Sequence, residues 1–376
     1  MIYLDNAATS PVFPHILEKL EHWNREFFAN PNSVHPEGQK SRREIDRVRR
    51  FLSQVVSSGE ENIIFVSGAT EANNTVIKGL AERHKNKKRI LISPIEHKSV
   101  LVPVKELVKK GFSVEFLKVD SEGVVDIDHL KKRIDKDVLF VGVMHVNNET
   151  GVVQDVKVIG EICRSKGVPF FSDIVQSFGR LEVPYGYIDF FTTSGHKINA
   201  PKATGFMKIS QEYPLHPLIT GGGQEFGIRA GTENTPGIIA FGEAVKTWDE
   251  NRQAFIDRFR ELEKLFIGKL KEVIPDIKVV SEGKKVPYIT TVLFPDVRGH
   301  DMVIALGRRG IAVSSGSACS SGSPMPSHVL TACGFSEDDA LSGVRFSFGV
   351  DTDAAWLETA VEEIGEIYRK LSSFPF

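Results

Sequence analysis

Apolar runs at 62–66, 89–93, 138–144, 169–172 and 188–192 alternate along the first half of the chain with stretches whose apolar residues recur at helical spacing. Short, fully apolar strands between helices predict a mainly parallel sheet covered on both faces. Ile45, Val48, Leu52 and Val55 share one helical face, with Pro36 suited to the first turn of that helix, and 156–166 reads as a second amphipathic helix. From 235 to 273 the pattern is almost wholly helical, and Phe255, Phe259, Leu262, Phe266 and Leu270 form one stripe; this segment is expected to link two domains. Beyond Pro275, strands at 277–280, 289–294 and 344–348 and helices near 301–309 and 353–371 predict a smaller α/β unit, which the N-terminal strand is expected to join. The expected division is a large domain over 15–255 and a small one over 1–14 and 256–376, the latter carrying a mobile loop at about 314–326.

Composition narrows the class without naming a chemistry. The 376 residues can bury a large core, and 47 basic against 49 acidic side chains leave a net charge of −2, so no global field draws the protein to nucleic acid or anionic membrane. The first residues show no secretory pattern and no apolar run reaches spanning length. The three cysteines, Cys163, Cys319 and Cys333, lack metal-ligand spacing and fit a reducing cytoplasm. No resident metal is expected.

Four separated islands carry candidate chemistry: 67–74, Asp173 with Gln176, 194–197, and 317–322. Their order and residue types suit a pyridoxal phosphate site, which needs an amine, an acid for the pyridine nitrogen and donors for a phosphate. Lys197 follows an apolar strand beside Ser194 and His196, where a desolvated lysine can lose its proton and attack an aldehyde. Asp173 ends the strand at 169–172, at the sheet edge that opens toward ligands, with Val175 and Gln176 next to it for a ring face and a ring oxygen. Gly68, Ala69 and Thr70 join a strand to a helix and can offer backbone N–H groups and a hydroxyl to a phosphate. His97 lies beyond another strand end, where an imidazole can stack on the ring and move protons, and Asn147, Asn148 and Glu149 follow a third. A second glycine-rich loop runs from Gly221 to Thr232.

Taken singly, each island also has an ordinary structural meaning: a surface lysine, a capping Asp, a strand-to-helix turn, a core histidine. Cys319 differs from the other two thiols. It sits among small residues and prolines, as an exposed, mobile nucleophile would, whereas Cys163 and Cys333 read as packing residues. Arg345, on the strand at 344–348, can grip a carboxylate through two N–H groups.

With these islands in this order, the chain resembles the cysteine desulfurases, a branch of the class V aminotransferases with the fold-type I architecture of pyridoxal phosphate enzymes. The resemblance runs from Tyr3–Thr9 through 68–74, Asn147–Gly151, Asp173, Gln176, 194–197 and Gly221–Glu225 to Arg345–Phe348, and 315–322 looks like the long cysteine loop of the iron–sulfur assembly group. It implies a large domain with a mainly parallel seven-stranded sheet between helices and a smaller α/β C-terminal domain. It implies pyridoxal 5′-phosphate joined to Lys197, with Asp173 at the pyridine nitrogen, Gln176 at the ring oxygen, His97 and Val175 against the ring, and Ala69, Thr70, Ser194 and His196 at the phosphate.

The resemblance further implies a homodimer in which Thr232 crosses to the neighbouring site. Arg345 and Asn148 would hold the carboxylate of L-cysteine, and Cys319 would take the sulfur as a persulfide while L-alanine leaves. The sulfur would pass to an iron–sulfur scaffold or a transfer-RNA thiolation enzyme, with a transient iron–sulfur contact at Cys319 as the only metal chemistry. The chain departs from the family pattern at Phe226, where arginine is usual, at Ala200 and Ala203, where glycines are common, and in lacking the longer tail of housekeeping members. Selenocysteine lyase, class V transaminase and a sulfur-delivery scaffold with little turnover are the alternatives; a hydrolase built on Cys319 and His328 has little behind it.

Overall fold

A computed structural model of the chain describes residues 1–316 and 325–373. The strands are β1 (Ile2–Tyr3), β2 (Ile63–Val66), β3 (Arg89–Ile92), β4 (Ser113–Phe116), β5 (Val138–Gly142), β6 (Phe170–Asp173), β7 (Phe190–Thr192), β8 (Gly205–Lys208), β9 (Lys278–Val279), β10 (Ile289–Leu293), β11 (Ile311–Ala312) and β12 (Gly343–Ser347). Between them lie α1 (Pro14–Glu26), α2 (Pro36–Val55), α3 (Ala69–Arg83), α4 (Lys98–Val108), α5 (Ile127–Arg133), α6 (Val156–Ser165), α7 (Thr235–Val273), α8 (Gly299–Arg308), α9 (His328–Ala332), α10 (Glu337–Leu341) and α11 (Ala354–Ser372).

The main sheet has seven strands in the order β2-β8-β7-β6-β5-β3-β4, parallel except for β8, which runs against both β2 and β7. The edge strand β2 and the inner strands β5, β6 and β7 are fully buried, which is why they read as continuous apolar runs. Two strands have no such signature. β4 is a partly exposed edge strand, and β8, Gly-Phe-Met-Lys, is short and ends in a charge. Because β2 and β7 both oppose β8, the carboxyl ends of all six parallel strands share one edge, where a ligand crevice forms in such sheets.

The helix α7 is 39 residues long and packs against α1, α2 and α11, so its stripe of Phe259, Leu262, Phe266 and Leu270 carries the core from the main sheet to the C-terminal elements. There, β9, β10 and β12 form an antiparallel sheet, and β1 pairs with β11. Isolated bridges from Asp5 to Ser347 and from Ser314 to Arg345 join the two small sheets. Among the described residues no helix is long and apolar enough to cross a membrane.

Candidate active site

A cavity of about 460 Å³ opens at the carboxyl edge of the main sheet, walled on its far side by β12 and the N-terminal segment. Ala69 and Thr70 enter it after β2, His97 after β3, Asn148 after β5, Asp173, Val175 and Gln176 at the end of β6, and Ser194, His196 and Lys197 after β7, with Arg345 from β12. Thr232 is not among its walls; it lines a separate hollow of about 260 Å³. Cys319 lies outside the described residues. Cys163 and Cys333 are buried, and burial raises both thiols, Cys333 to about 12, so neither is a nucleophile near neutral pH.

Lys197 sits in the single helical turn Gly195–Lys197 that follows β7, and its Nζ donates to the carbonyl oxygens of Ala7 at 2.7 Å and Ala8 at 2.6 Å. Burial, then the Arg345 and Arg180 guanidiniums, lower its amine to about 7, against the opposing pull of Asp173 and Asp5. The ammonium loses its proton where an ordinary surface lysine would keep it. Arg345 is held by Asp5 Oδ1 through Nη2 and by the Asn148 carbonyl through Nη1, both at 2.8 Å, while its buried Nε has no partner. The unpartnered Nε leaves the guanidinium a donor for a small carboxylate.

On the opposite side, Asp173 Oδ1 accepts from the Val175 N–H at 3.0 Å and Oδ2 from Asn73 Nδ2 at 3.0 Å. Asn73 Nδ2 also donates to Ser99 Oγ at 2.8 Å, and Asn73 Oδ1 accepts from Thr192. His97 Nδ1 accepts the Ser99 backbone N–H at 3.1 Å, and burial lowers the imidazole, so the ring is neutral with its proton on Nε2. Gln176 Nε2 donates to the Ala7 carbonyl and its buried Oε1 has no partner. Asn147, in contrast, is spent on its own turn: Oδ1 accepts from the Glu149 and Thr150 N–H groups and Nδ2 donates to the Ile95 carbonyl.

The first turn of α3 is open. Gly68 caps it with no side-chain hydrogen bond, at φ 151°, and a Cβ there would lie 3.3 Å from Ser194 Oγ. The free N–H groups of Ala69 and Thr70, the Ser194 hydroxyl and His196 thus converge on one wall of the cavity. Glu71, the acid in that turn, is engaged by Arg229 at 2.8 Å and by Ser67, which removes its charge from competition with an anion. Burial and the charge of Lys197 depress His196 to about 4, so it acts there as a neutral donor or acceptor.

The sequence profile of the aminotransferase class-V family matches residues 2–359. Cysteine desulfurase IscS 1 of Archaeoglobus fulgidus is 37% identical over 382 residues, covering 99% of both chains. A solved NifS-like protein superposes with a TM-score of 0.92 at 32% identity, covering 98% of this chain and all of that one. The solved structure of SspA in complex with cysteine matches with a TM-score of 0.81 at 33% identity over 93% of this chain and 99% of its own. The chain belongs to the class-V aminotransferase family, among the cysteine desulfurases.

Enzymes of this family depend on pyridoxal 5′-phosphate, and the residues of this cavity fit that group: an uncapped helix N-terminus for the phosphate, a deprotonatable lysine for the aldehyde, a buried carboxylate for the ring nitrogen and the unpartnered Gln176 Oε1 nearby. For this desulfurase, Gly68→Ala is expected to weaken cofactor retention by about tenfold or more, because the Cβ enters the open turn at a φ that side chains rarely adopt. Equilibrium dialysis against pyridoxal 5′-phosphate checks it. The sequence reading missed Asn73, Ser99, Asp5, Arg180 and the Ala7 and Ala8 carbonyls. Asp5, Ala7 and Ala8 lie in the Tyr3–Thr9 motif and Asn73 in the motif at 68–74, where it is also a polar residue on the buried face of α3; Arg180 had no signal.

Proposed function

We propose that this protein is a pyridoxal 5′-phosphate-dependent cysteine desulfurase that converts L-cysteine to L-alanine and holds the sulfur as a persulfide on Cys319. The observation that carries the reading is the pairing, in one cavity, of the buried Lys197 amine with Arg345, whose Nε is free for a substrate carboxylate. When bound, pyridoxal 5′-phosphate supplies an electron sink for the bonds at the substrate Cα. Ala69, Thr70, Ser194 and His196 hold its phosphate, Asp173 its ring nitrogen, Gln176 its ring oxygen, and His97 and Val175 its ring faces, while Lys197 binds its aldehyde.

Arg345 and Asn148 orient L-cysteine by its carboxylate. Lys197 Nζ takes the Cα proton, and the neutral His97 carries protons through Nε2. The Cys319 thiolate then bonds to the substrate sulfur as the C–S bond breaks, and the three-carbon remainder keeps that electron pair, gains protons and leaves as alanine. We read 15–255 as the cofactor domain and 1–14 with 256–376 as the small domain that carries the cysteine. A homodimer with Thr232 reaching the neighbouring phosphate, a cytoplasmic location and delivery of sulfur to an iron–sulfur scaffold or a transfer-RNA thiolation enzyme complete the proposal.

The experiment is alanine and sulfide release from L-cysteine with a thiol reductant, parent against Cys319→Ser. Equal amounts of both products from the parent and a loss of about 100-fold or more in the variant are expected. Full activity in Cys319→Ser would replace this reading with a lyase or transaminase that does not use the thiol.

A further inference from the structure

Arg180 is the strongest unexplained feature of the molecule. It follows β6 and is only 3% exposed, yet among the described residues no acidic side chain pairs with it. Its Nη2 donates to the backbone carbonyl of Lys197 and, at 3.4 Å, to Ser10 Oγ; its Nε is buried without a partner. The guanidinium lies over the rings of Tyr288, at 4.8 Å, and Trp248, at 5.3 Å. Aromatic faces and one carbonyl offset part of the desolvation of a buried cation, but the usual counter-ion is missing.

The other two buried arginines among the described residues show the contrast. Arg49 is paired with the Glu225 carboxylate and Arg345 with Asp5. Arg180 alone of the three has no carboxylate partner, and its guanidinium lies against the peptide that carries the active-site lysine.

We propose that Arg180 is a positioning residue for Lys197, anchoring its backbone carbonyl and holding a positive charge without a carboxylate partner behind the site, which favours the unprotonated Lys197 nitrogen. This rests on the reading of Lys197 as the lysine that binds the cofactor. Arginine suits the task because its guanidinium never deprotonates, whereas a lysine buried there would give up its own charge. The other charged or titratable groups facing Lys197 are Arg345 and Asp5 from the small-domain side, Asp173 from β6, and His97 and His196 beside it. Asp173 and Asp5 pull the lysine toward its charged form, Arg345 and Arg180 push it away, and both imidazoles are held toward neutrality by burial. The direction of the Lys197 shift agrees with the placement of Arg180.

The test is a pH titration of the visible absorbance of the protein loaded with pyridoxal 5′-phosphate, in the parent, Arg180→Met and Arg180→Lys, with thermal unfolding of each. Methionine fills the slot between the two rings without charge. In Arg180→Met the midpoint of the band is expected to rise by roughly one pH unit or more, with a melting temperature equal to or above the parent's, because no carboxylate is left unpaired and the Lys197 carbonyl still accepts from Ser10 Oγ at 3.2 Å. Arg180→Lys is expected to shift the midpoint in the same direction as Arg180→Met, because an amine buried there gives up its charge. A midpoint that does not move in Arg180→Met overturns the proposal. So does a methionine variant that cannot fold, since the charge would then serve the fold rather than the site. If the titrating band persists in Lys197→Met, the assignment of Lys197 itself fails, and that outcome is distinct from a parent band that titrates normally but ignores Arg180.

Discussion

Lys197→Met is expected to lower alanine formation from L-cysteine by about 10³-fold or more and to abolish the Lys197-dependent visible band, because a proton-transferring base and the covalent anchor of the cofactor are lost together. The parent's pH dependence follows from the same amine. The nucleophile is the unprotonated form, so capture of pyridoxal 5′-phosphate by the cofactor-free protein is expected to rise through about pH 7 and level off above it. Stopped-flow absorbance checks both the rate and its midpoint. The lysine is also a thermodynamic burden. Its folded value of about 7 lies below the ordinary lysine value of 10.5, so the unfolded chain binds more protons between those limits and stability rises with pH across that window. Lys197→Met removes this burden, so its cofactor-free melting temperature is expected to exceed the parent's at neutral pH and the gap to narrow toward pH 10.

Arg49→Met is expected to cost about 3–5 kcal/mol of folding stability. Arg49 and Glu225 are nearly inaccessible, and they form a two-pronged pair at 2.6 and 2.9 Å. Arg49 also donates to the Ile63 carbonyl and lies over the Phe65 ring, while Glu225 accepts the Phe65 N–H at 2.7 Å. The pair therefore fastens α2 to the edge strand β2 and holds Glu225 and Phe226 in left-handed backbone, at φ 48° and 56°. Removing the arginine strands a buried carboxylate. Urea unfolding checks the value, and a double Arg49→Met, Glu225→Gln variant is expected to recover part of it. Arg25→Met, which breaks the exposed pair with Glu21, is expected to change stability by less than about 1 kcal/mol.

Phe226, the departure from the family's usual arginine, lies in this same turn. It is 59% exposed and its ring stacks on Arg49 at 5.1 Å. Ala203, another departure, has φ 59°, a conformation in which glycine is at ease and alanine is strained. Ala200 is buried in an ordinary turn whose N–H donates to the Gly195 carbonyl.

The alternation of apolar runs with helical spacing determined the main sheet's inner strands, α2, α6, the long α7 and the C-terminal strands and helices, because burial on both faces of a strand or one face of a helix leaves a short-range periodic mark. It did not mark β4, whose edge position tolerates exposed polar residues, or β8, whose four residues are too few to show a period. The chemistry-bearing residues were legible for a related reason. A parallel sheet sends the end of each strand to one edge, so residues placed just after strands, from Thr70 to Lys197, were brought to one cavity by topology alone.

Only the tertiary structure decided what surrounds them. Asp5 and Arg345 are 340 residues apart in the chain, Asn73 and Asp173 are 100 apart, and Arg180 meets the Lys197 carbonyl across a turn and a strand. These contacts arise from long-range packing and leave no local period or spacing. Their physical effects follow from position: an unpaired charge or a fixed hydrogen-bond donor alters its neighbour's protonation only once burial has removed the water that would screen it.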